Sequence, residues 1–421
     1  MYIWYKIFTN LLYPFFPIYL YFRKLKNKED PKRYKEKLSK IDIQREKGFL
    51  IWFHVASVGE AMSILPLIDY CTNEKKINKI LITSITLSSS KILEKKFNQN
   101  SKVVHQFLPL DIKIYTKIFL DHWKPNLSIF IDSEIWPNLI VNIKENKIPL
   151  LLINARITKK SFNRWRAVSS FAKQIFEKFD LCVASNQESK EFLEILGAKK
   201  IKSFGNLKFA NIKTDQKNKL NTDFLNKINS RKVWCAASTH PSEENLCAES
   251  HIQVKKNYNN ILTIIIPRHI NRVEIIKKEL LKLNLSIILS SKIDELNEKT
   301  DILLINSYGE AIKFYNISKY VFVGKSLIKS LINDSGQNPI EPARLGCKIF
   351  HGPYVSNFEE AYKYLQKLGI NKEIKNSNEL SLSLIEEFGK NGEKNYDISE
   401  QIENYGQNIL NNVIIELKKY I

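Results

Sequence analysis

The stretch FLIWFHVASVGE (49–60) sets the architecture of this chain. Residues 49–56 form a short, strongly apolar run rich in aromatic and β-branched types, the composition of a strand buried on both faces. Ser57-Val-Gly59 then turns the chain, and Glu60 opens an amphipathic stretch, which brings a carboxylate to the carboxyl end of a strand. Similar apolar runs recur at 79–86, 127–132, 148–154 and 181–185, and again at 232–238, 261–267, 285–291, 301–306, 320–324 and 347–351, with longer amphipathic stretches between them. That alternation is the βαβ pattern of a parallel sheet covered by helices.

The two series are separated by a polar segment rich in Lys and Asn at 211–230, read as a linker. A length of 421 residues exceeds one ordinary core and suits two. The expected organisation is therefore α/β, with Rossmann-like doubly wound domains at 29–210 and 231–395 facing a central cleft. A closing helix is expected over 396–421, where Ile398, Ile402, Tyr405, Ile409, Val413 and Leu417 recur at helical spacing.

The net charge of +21 fits an anionic partner, whether nucleic acid, an acidic membrane surface or a phosphorylated substrate. A Lys-rich solvated surface accounts for the same number, because the lysines are spread along the whole chain. Cys71, Cys182, Cys235, Cys247 and Cys347 are odd in number and widely spaced, which argues against a disulfide framework or a zinc site and for a reducing compartment. Residues 7–22, IFTNLLYPFFPIYLYF, are uncharged and aromatic and are followed by Arg23, Lys24, Lys26 and Lys28. The run is short for a full span and contains Pro14 and Pro17, so it reads as an interfacial anchor within a segment 1–28; a tilted span and an ordinary docked helix are the alternatives. The basic flank puts the remaining chain on the cytoplasmic side.

Ligands of open α/β sheets bind at the carboxyl ends of the strands, and polar clusters sit there in both halves. Glu60 is placed to act as a general base on a hydroxyl, although helix starts favour acids without any catalysis. Asp132 and Glu134, at i and i+2, are read as leaving their strand on one side. Lys208 follows Gly205-Asn206, where a fixed cation would meet a phosphate or a sugar carboxylate; a solvated lysine is the plain alternative. Arg268 emerges directly after the run Ile261–Ile266, as a phosphate clamp would. In Gly336-Gln-Asn-Pro-Ile-Glu-Pro342, Asn338 reads as an N-cap, Pro339 as the first helical residue and Glu341 as a first-turn acid able to accept ribose hydroxyls. The helix start suits phosphate, and a simply capped helix explains the same residues. His240 and His269 read as cleft hydrogen-bonders or as structural histidines.

Taken in order, WFHVASVGE (52–60), FLPLD (107–111), SEIWPNL (133–139), INARITKKSF (153–162), GNLKF (205–209), AASTHPSEE (236–244), IPRH (266–269), YGEA (308–311) and NPIEPARLG (338–346) resemble the 3-deoxy-D-manno-octulosonic acid (Kdo) transferases of lipopolysaccharide assembly. That resemblance implies the GT-B glycosyltransferase fold and an inverting, metal-independent transfer with no cofactor. CMP-Kdo is the implied donor and the lipid A precursor, lipid IVA, the acceptor, at the cytoplasmic face of the inner membrane, with residues 2–22 as anchor. It makes Glu60 the base and gives Glu134 and Lys208 the stabilisation of the transition state. Pro267, Arg268, Tyr308, Gly309, Glu310, Asn338, Pro339, Ile340 and Glu341 would hold CMP. Departures from the family pattern fall at Gly324-Lys325, at Gln337-Asn338-Pro339 and at Thr86-Leu-Ser-Ser89. Two rival readings stay open: a nucleotide-sugar epimerase of the same fold, and a basic membrane-associated binding protein, with no recognised nucleic-acid module in view.

Overall fold

A computed structural model describes residues 1–210, 220–330, 335–390, 394 and 396–421. The chain divides into two compact units, Met1–Ile212 with Tyr405–Ile421, and Lys213–Asn404. Of the segment read as a linker, 211–219 lie outside the described residues, and Thr222–Ile228 is a helix of the second unit whose Phe224 and Ile228 are buried.

The first unit holds a seven-stranded sheet in the order β3-β2-β1-β4-β5-β6-β7. Its strands are β1 (Leu50–His54), β2 (Lys79–Ser84), β3 (Val103–Phe107), β4 (Leu127–Ile131), β5 (Leu150–Ala155), β6 (Leu181–Ala184) and β7 (Ile201–Ser203). All pairings are parallel. Strands β1 and β4 are buried at every position, which is why they read as continuous apolar runs rather than alternating ones. Trp52 anchors the core below them, with ring centroids 4.9 Å from Phe119 and 5.3 Å from Phe130. Its indole N–H is satisfied by donating to Thr83 Oγ1 at 2.9 Å.

The second unit repeats the plan with the order β10-β11-β9-β8-β12-β13-β14. Here the strands are β8 (Lys232–Thr239), β9 (Ile261–Pro267), β10 (Ile287–Leu289), β11 (Ile302–Leu304), β12 (Tyr320–Val323), β13 (Lys348–His351) and β14 (Asn371–Glu373). Trp234, Phe322 and Phe350 are fully buried in its core. Strand order reverses between β1 and β4 in one sheet and between β8 and β12 in the other, and those switch points are where a doubly wound sheet opens a crevice.

Four non-glycine residues at these strand ends have left-handed backbones: Asp132 (φ 60°), Asn154 (φ 56°), Ser238 (φ 55°) and Lys325 (φ 57°). The β5–β6 register shifts between Leu152 and Ala155, and the β8–β9 register between Ala237 and Thr239, so Asn154 and Ser238 mark bulges. The closing helix, Tyr396–Leu417, buries Ile402, Ile409, Val413 and Leu417, and the division between units falls within it.

The amino-terminal apolar segment forms two helices, Tyr2–Leu11 and Phe16–Leu25, joined by a 3₁₀ turn at Tyr13–Phe15 that contains Pro14. Among the described residues no helix is long and apolar enough to cross a membrane. One flank docks on the first unit: Tyr5 donates to Asp111 Oδ2 at 2.8 Å, and Asn138 Nδ2 donates to Thr9 Oγ1 at 3.0 Å. The other flank is bare, with Trp4 73%, Phe8 63%, Leu11 68% and Phe15 63% exposed. Behind the helices, buried Glu29 accepts from Arg23 Nε and from Lys37 Nζ, both at 2.6 Å.

Candidate active site

Glu60 stands at the first switch point, in the opening turn of the helix Val58–Ser63 that Ser57 caps. Its carboxylate folds back over that turn: Oε2 accepts from the amide of Ala56 at 2.7 Å, and Oε1 from the Ser57 hydroxyl at 2.8 Å. Burial pushes its pKa up to about 7; the Ala56 amide and Ser57 hydroxyl pull down, and the charges of Glu134 and Asp132 push up. A carboxyl poised near neutral pH is matched to proton abstraction at that pH.

The chain leaves β4 at Ile131, so the expected strand alternation does not govern Asp132 and Glu134. The left-handed backbone of Asp132 turns it instead, and the two acids find separate surroundings. Asp132 is buried, which raises its pKa, while the nearby cations Lys208 and Arg156 lower it. Glu134 Oε2 accepts from Trp136 Nε1 at 2.8 Å and lies 3.2 Å from His54 Nε2. The His54 ring is fully buried, and its Nδ1 sits 2.9 Å from Thr83 Oγ1, so one polar chain runs across the ends of β4, β1 and β2.

Lys208 lies on a 3₁₀ turn, Leu207–Ala210. Burial lowers its pKa, Asp132 and Glu60 act to raise it, and Arg156 acts with burial. The first unit thus gathers Glu60, Asp132, Lys208 and Arg156 into one electrostatically coupled group with Glu134 beside it. Thr86-Leu-Ser-Ser89 is a capped helix start in which the Ser89 amide donates to Thr86 Oγ1 at 3.2 Å, next to the loop of Ala56.

In the second unit, Pro267 ends β9 and Arg268 follows with its side chain exposed and its amide donating to Thr239 O at 3.0 Å. His240 and His269 form an edge-to-face pair with centroids 5.7 Å apart. Burial pushes His240 down to about 4; its bond to Ser238 O opposes this, and the charges of Lys325, His269 and Arg268 add to it. The ring is therefore neutral at pH 7 amid a cationic cluster fit for an anion. Gly324 allows that packing, since a Cβ there would lie 2.7 Å from Ser238 O and Thr239 Cα.

Tyr308 is 67% exposed, Gly309 has φ 81°, and Glu310 accepts from Ser307 at 2.7 Å and Lys313 at 3.0 Å. The helix expected to begin at Pro339 runs only from Ile340 to Arg344, with Asn338 Oδ1 accepting from the Ile340 amide at 3.1 Å. The cap is present, but five residues carry little macrodipole, so charge at this site comes from side chains. Glu341 is exposed, and Asp334 of the preceding loop lies outside the described residues.

Two residues escaped the sequence reading. His54 was hidden inside the run that reads as strand. Glu243 looks like an ordinary first-turn acid, yet it is buried and takes four backbone amides: His240 (3.0 Å), Lys325 (2.7 Å), Ser326 (2.9 Å) and Leu327 (3.1 Å). Its presence beside Ser242 in a motif was the one available signal.

Two doubly wound units, one with an acidic and one with a cationic switch point, make this a GT-B-like α/β protein. The same fold is seen in the UDP-GlcNAc 2-epimerase of Neisseria meningitidis, which is 14% identical and aligns over 88% of this chain and all of that one with a TM-score of 0.57. Residues 32–211 match the family model described as 3-Deoxy-D-manno-octulosonic-acid transferase (kdotransferase). The 3-deoxy-D-manno-octulosonic acid transferase of Rickettsia bellii is 33% identical over 407 residues, covering 96% of this chain and 94% of the relative. That of Haemophilus influenzae is 30% identical over 379 residues, 86% of this chain and 85% of the relative. The chain belongs to the 3-deoxy-D-manno-octulosonic acid transferase family and carries its Kdo glycosyltransferase role.

Proposed function

We propose that this chain moves Kdo from CMP-Kdo to the phosphorylated disaccharide precursor of lipid A, lipid IVA, inverting the transferred carbon and releasing CMP. The observation that carries this reading is Glu60, a carboxyl held near neutral pKa at a switch point beside Lys208. Glu60 takes the proton of an acceptor hydroxyl as its oxygen bonds to the anomeric carbon, and the bond from that carbon to the phosphate oxygen breaks with its electron pair. CMP leaves as an anion, so no acid is required. Arg268, with Lys325 nearby, is the reading for charge neutralisation on the phosphate, and the reaction is read as metal-independent. Lys208 and Glu134 are assigned to the transition state, and Pro267, Tyr308, Gly309, Glu310, Asn338, Pro339, Ile340 and Glu341 to the nucleotide.

The bare aromatic flank of residues 2–22 and the following basic residues support attachment to the cytoplasmic face of the inner membrane, where a lipid acceptor is met. The test is release of CMP from CMP-Kdo with and without lipid IVA. Acceptor-dependent release that Glu60→Gln abolishes, while CMP-Kdo still binds, is expected. Equal release without acceptor would replace transfer by hydrolysis or epimerase-type chemistry, and substantial turnover by Glu60→Gln would remove Glu60 from the base role.

A further inference from the structure

The turn that carries Lys208 is held from two sides by residues that have no part in the chemistry above. On one side stands Asn154, at the bulged end of β5, 1% exposed and with a left-handed backbone at φ 56°. Its Oδ1 accepts the amide of Leu207 at 2.8 Å, bridging a separation of 53 residues. On the other side stands the closing helix: a Cβ on Gly406 would lie 2.1 Å from Phe209 O, so helix and turn are in backbone contact there. Tyr405 and Phe209 meet edge to face at 5.1 Å. Within the turn, Asn206 Oδ1 accepts the Lys208 amide at 2.9 Å.

The choice of residue at 154 is itself informative. Glycine would take φ 56° without strain but offers no acceptor, and most other side chains resist that backbone. Asparagine tolerates it and supplies a neutral carbonyl, which adds no charge beside Asp132, Arg156 and Glu60. From this two-sided clamp we infer that Asn154 and Gly406 are positioning residues that fix Lys208 toward the reacting sugar, so that the far carboxyl terminus is part of the active-site frame. The inference rests on the reading of Lys208 as a transition-state cation. Asp132 from the end of β4, Arg156 from the end of β5 and Glu60 from its helix start are the charged groups that face the ammonium. A loosened turn lets water reach Lys208 and removes the burial that depresses its pKa.

The experiment compares Asn154→Gly, Gly406→Ala and Lys208→Ala in full-length protein, using CMP-Kdo and lipid IVA. Asn154→Gly relieves the backbone and drops the acceptor, so it should fold. Its kcat is expected to fall at least about tenfold with KM for CMP-Kdo changed by less than about threefold. The alkaline limb of its kcat profile should move to higher pH as Lys208 becomes solvated, which a merely structural role would not produce. Gly406→Ala should shift both readouts the same way from the helix side. Wild-type kcat and an unmoved limb in both variants, with Lys208→Ala inactive, would overturn the positioning role alone. Full turnover by Lys208→Ala would overturn the reading of Lys208 and the inference with it.

Discussion

His54 closes strand β1 by setting its Nε2 3.2 Å from Oε2 of Glu134, so the acid that follows β4 is tied to the neighbouring strand rather than left to solvent. Thr83 Oγ1 holds the other side of the ring at 2.9 Å. Replacing His54 with Phe puts a larger ring into a fully buried place and removes a contact from each partner, although Trp136 still donates to Glu134 and Trp52 to Thr83. The expected cost is about 2 kcal/mol in urea unfolding, the scale for overpacking a close-packed core with a larger ring. Turnover should fall further than stability explains, because Glu134 loses one of the two contacts that orient it; steady-state kinetics at saturating donor is the check.

Glu60 gives a pH prediction with a definite sign. Its folded pKa, about 7, lies above the ordinary carboxylate value, so its stabilising contribution is present in acid and is lost as pH rises through about 7. Glu60→Gln removes that loss. Measured by thermal unfolding, the variant should gain on wild type as pH rises from 4.5 to about 7 and hold that gain above it, and an opposite trend would mean the ionised carboxylate is favoured by the fold. Wild-type kcat should rise as pH passes through about 7, where the base ionises.

Glu243 is an internal carboxyl that organises the loop after β12: burial raises its pKa, and the four amides it accepts pull the other way. Glu243→Gln retains one acceptor oxygen and turns an N–H group toward amides that are themselves donors. The loss expected is about 3 kcal/mol, given that leaving a buried donor unsatisfied costs about 1–3 kcal/mol and the amide group faces donors where the carboxyl offered a second acceptor. Because the same loop carries Lys325, CMP binding should weaken together with stability, readable by calorimetry.

The amino-terminal helices dock on the first unit by one flank and leave the other exposed, the flank proposed above to meet the membrane. Trp4, Phe8 and Leu11 are exposed, whereas Tyr5 and Thr9 hold the first unit. Changing the three exposed residues to Ser should lower partition onto vesicles containing phosphatidylglycerol at least about a hundredfold, since each loses on the order of 1.5–3 kcal/mol of apolar transfer. The melting temperature should stay within about 2 °C, as none of the three supports the core.

The double-wound pattern was legible because central parallel strands bury both faces, as in Leu50–His54 and Leu127–Ile131, and have to be apolar throughout. The strands that escaped the reading, β3, β7 and β14, are all sheet edges. Their sequences, VVHQF, IKS and NKE, serve a single neighbour and tolerate polar residues, so nothing in them separates a strand from a loop. The candidate site was legible as polar residues after apolar runs, the pattern that singles out Glu60 and Arg268. The networks were not: the tie of Asn154 to Leu207 spans 53 residues, and no local pattern encodes it.

The left-handed corners at Asp132, Asn154, Ser238 and Lys325 bear on how this enzyme would respond to laboratory evolution. Each is a place where glycine would take the backbone without strain while deleting a side chain from a strand end, and at Asn154 the deletion also removes the acceptor of the Leu207 amide. A screen that rewards heat resistance alone would not register the loss of those side chains in a variant that still folds. Ranking variants by residual transfer after heating, instead of by melting temperature, is the selection that would keep them intact.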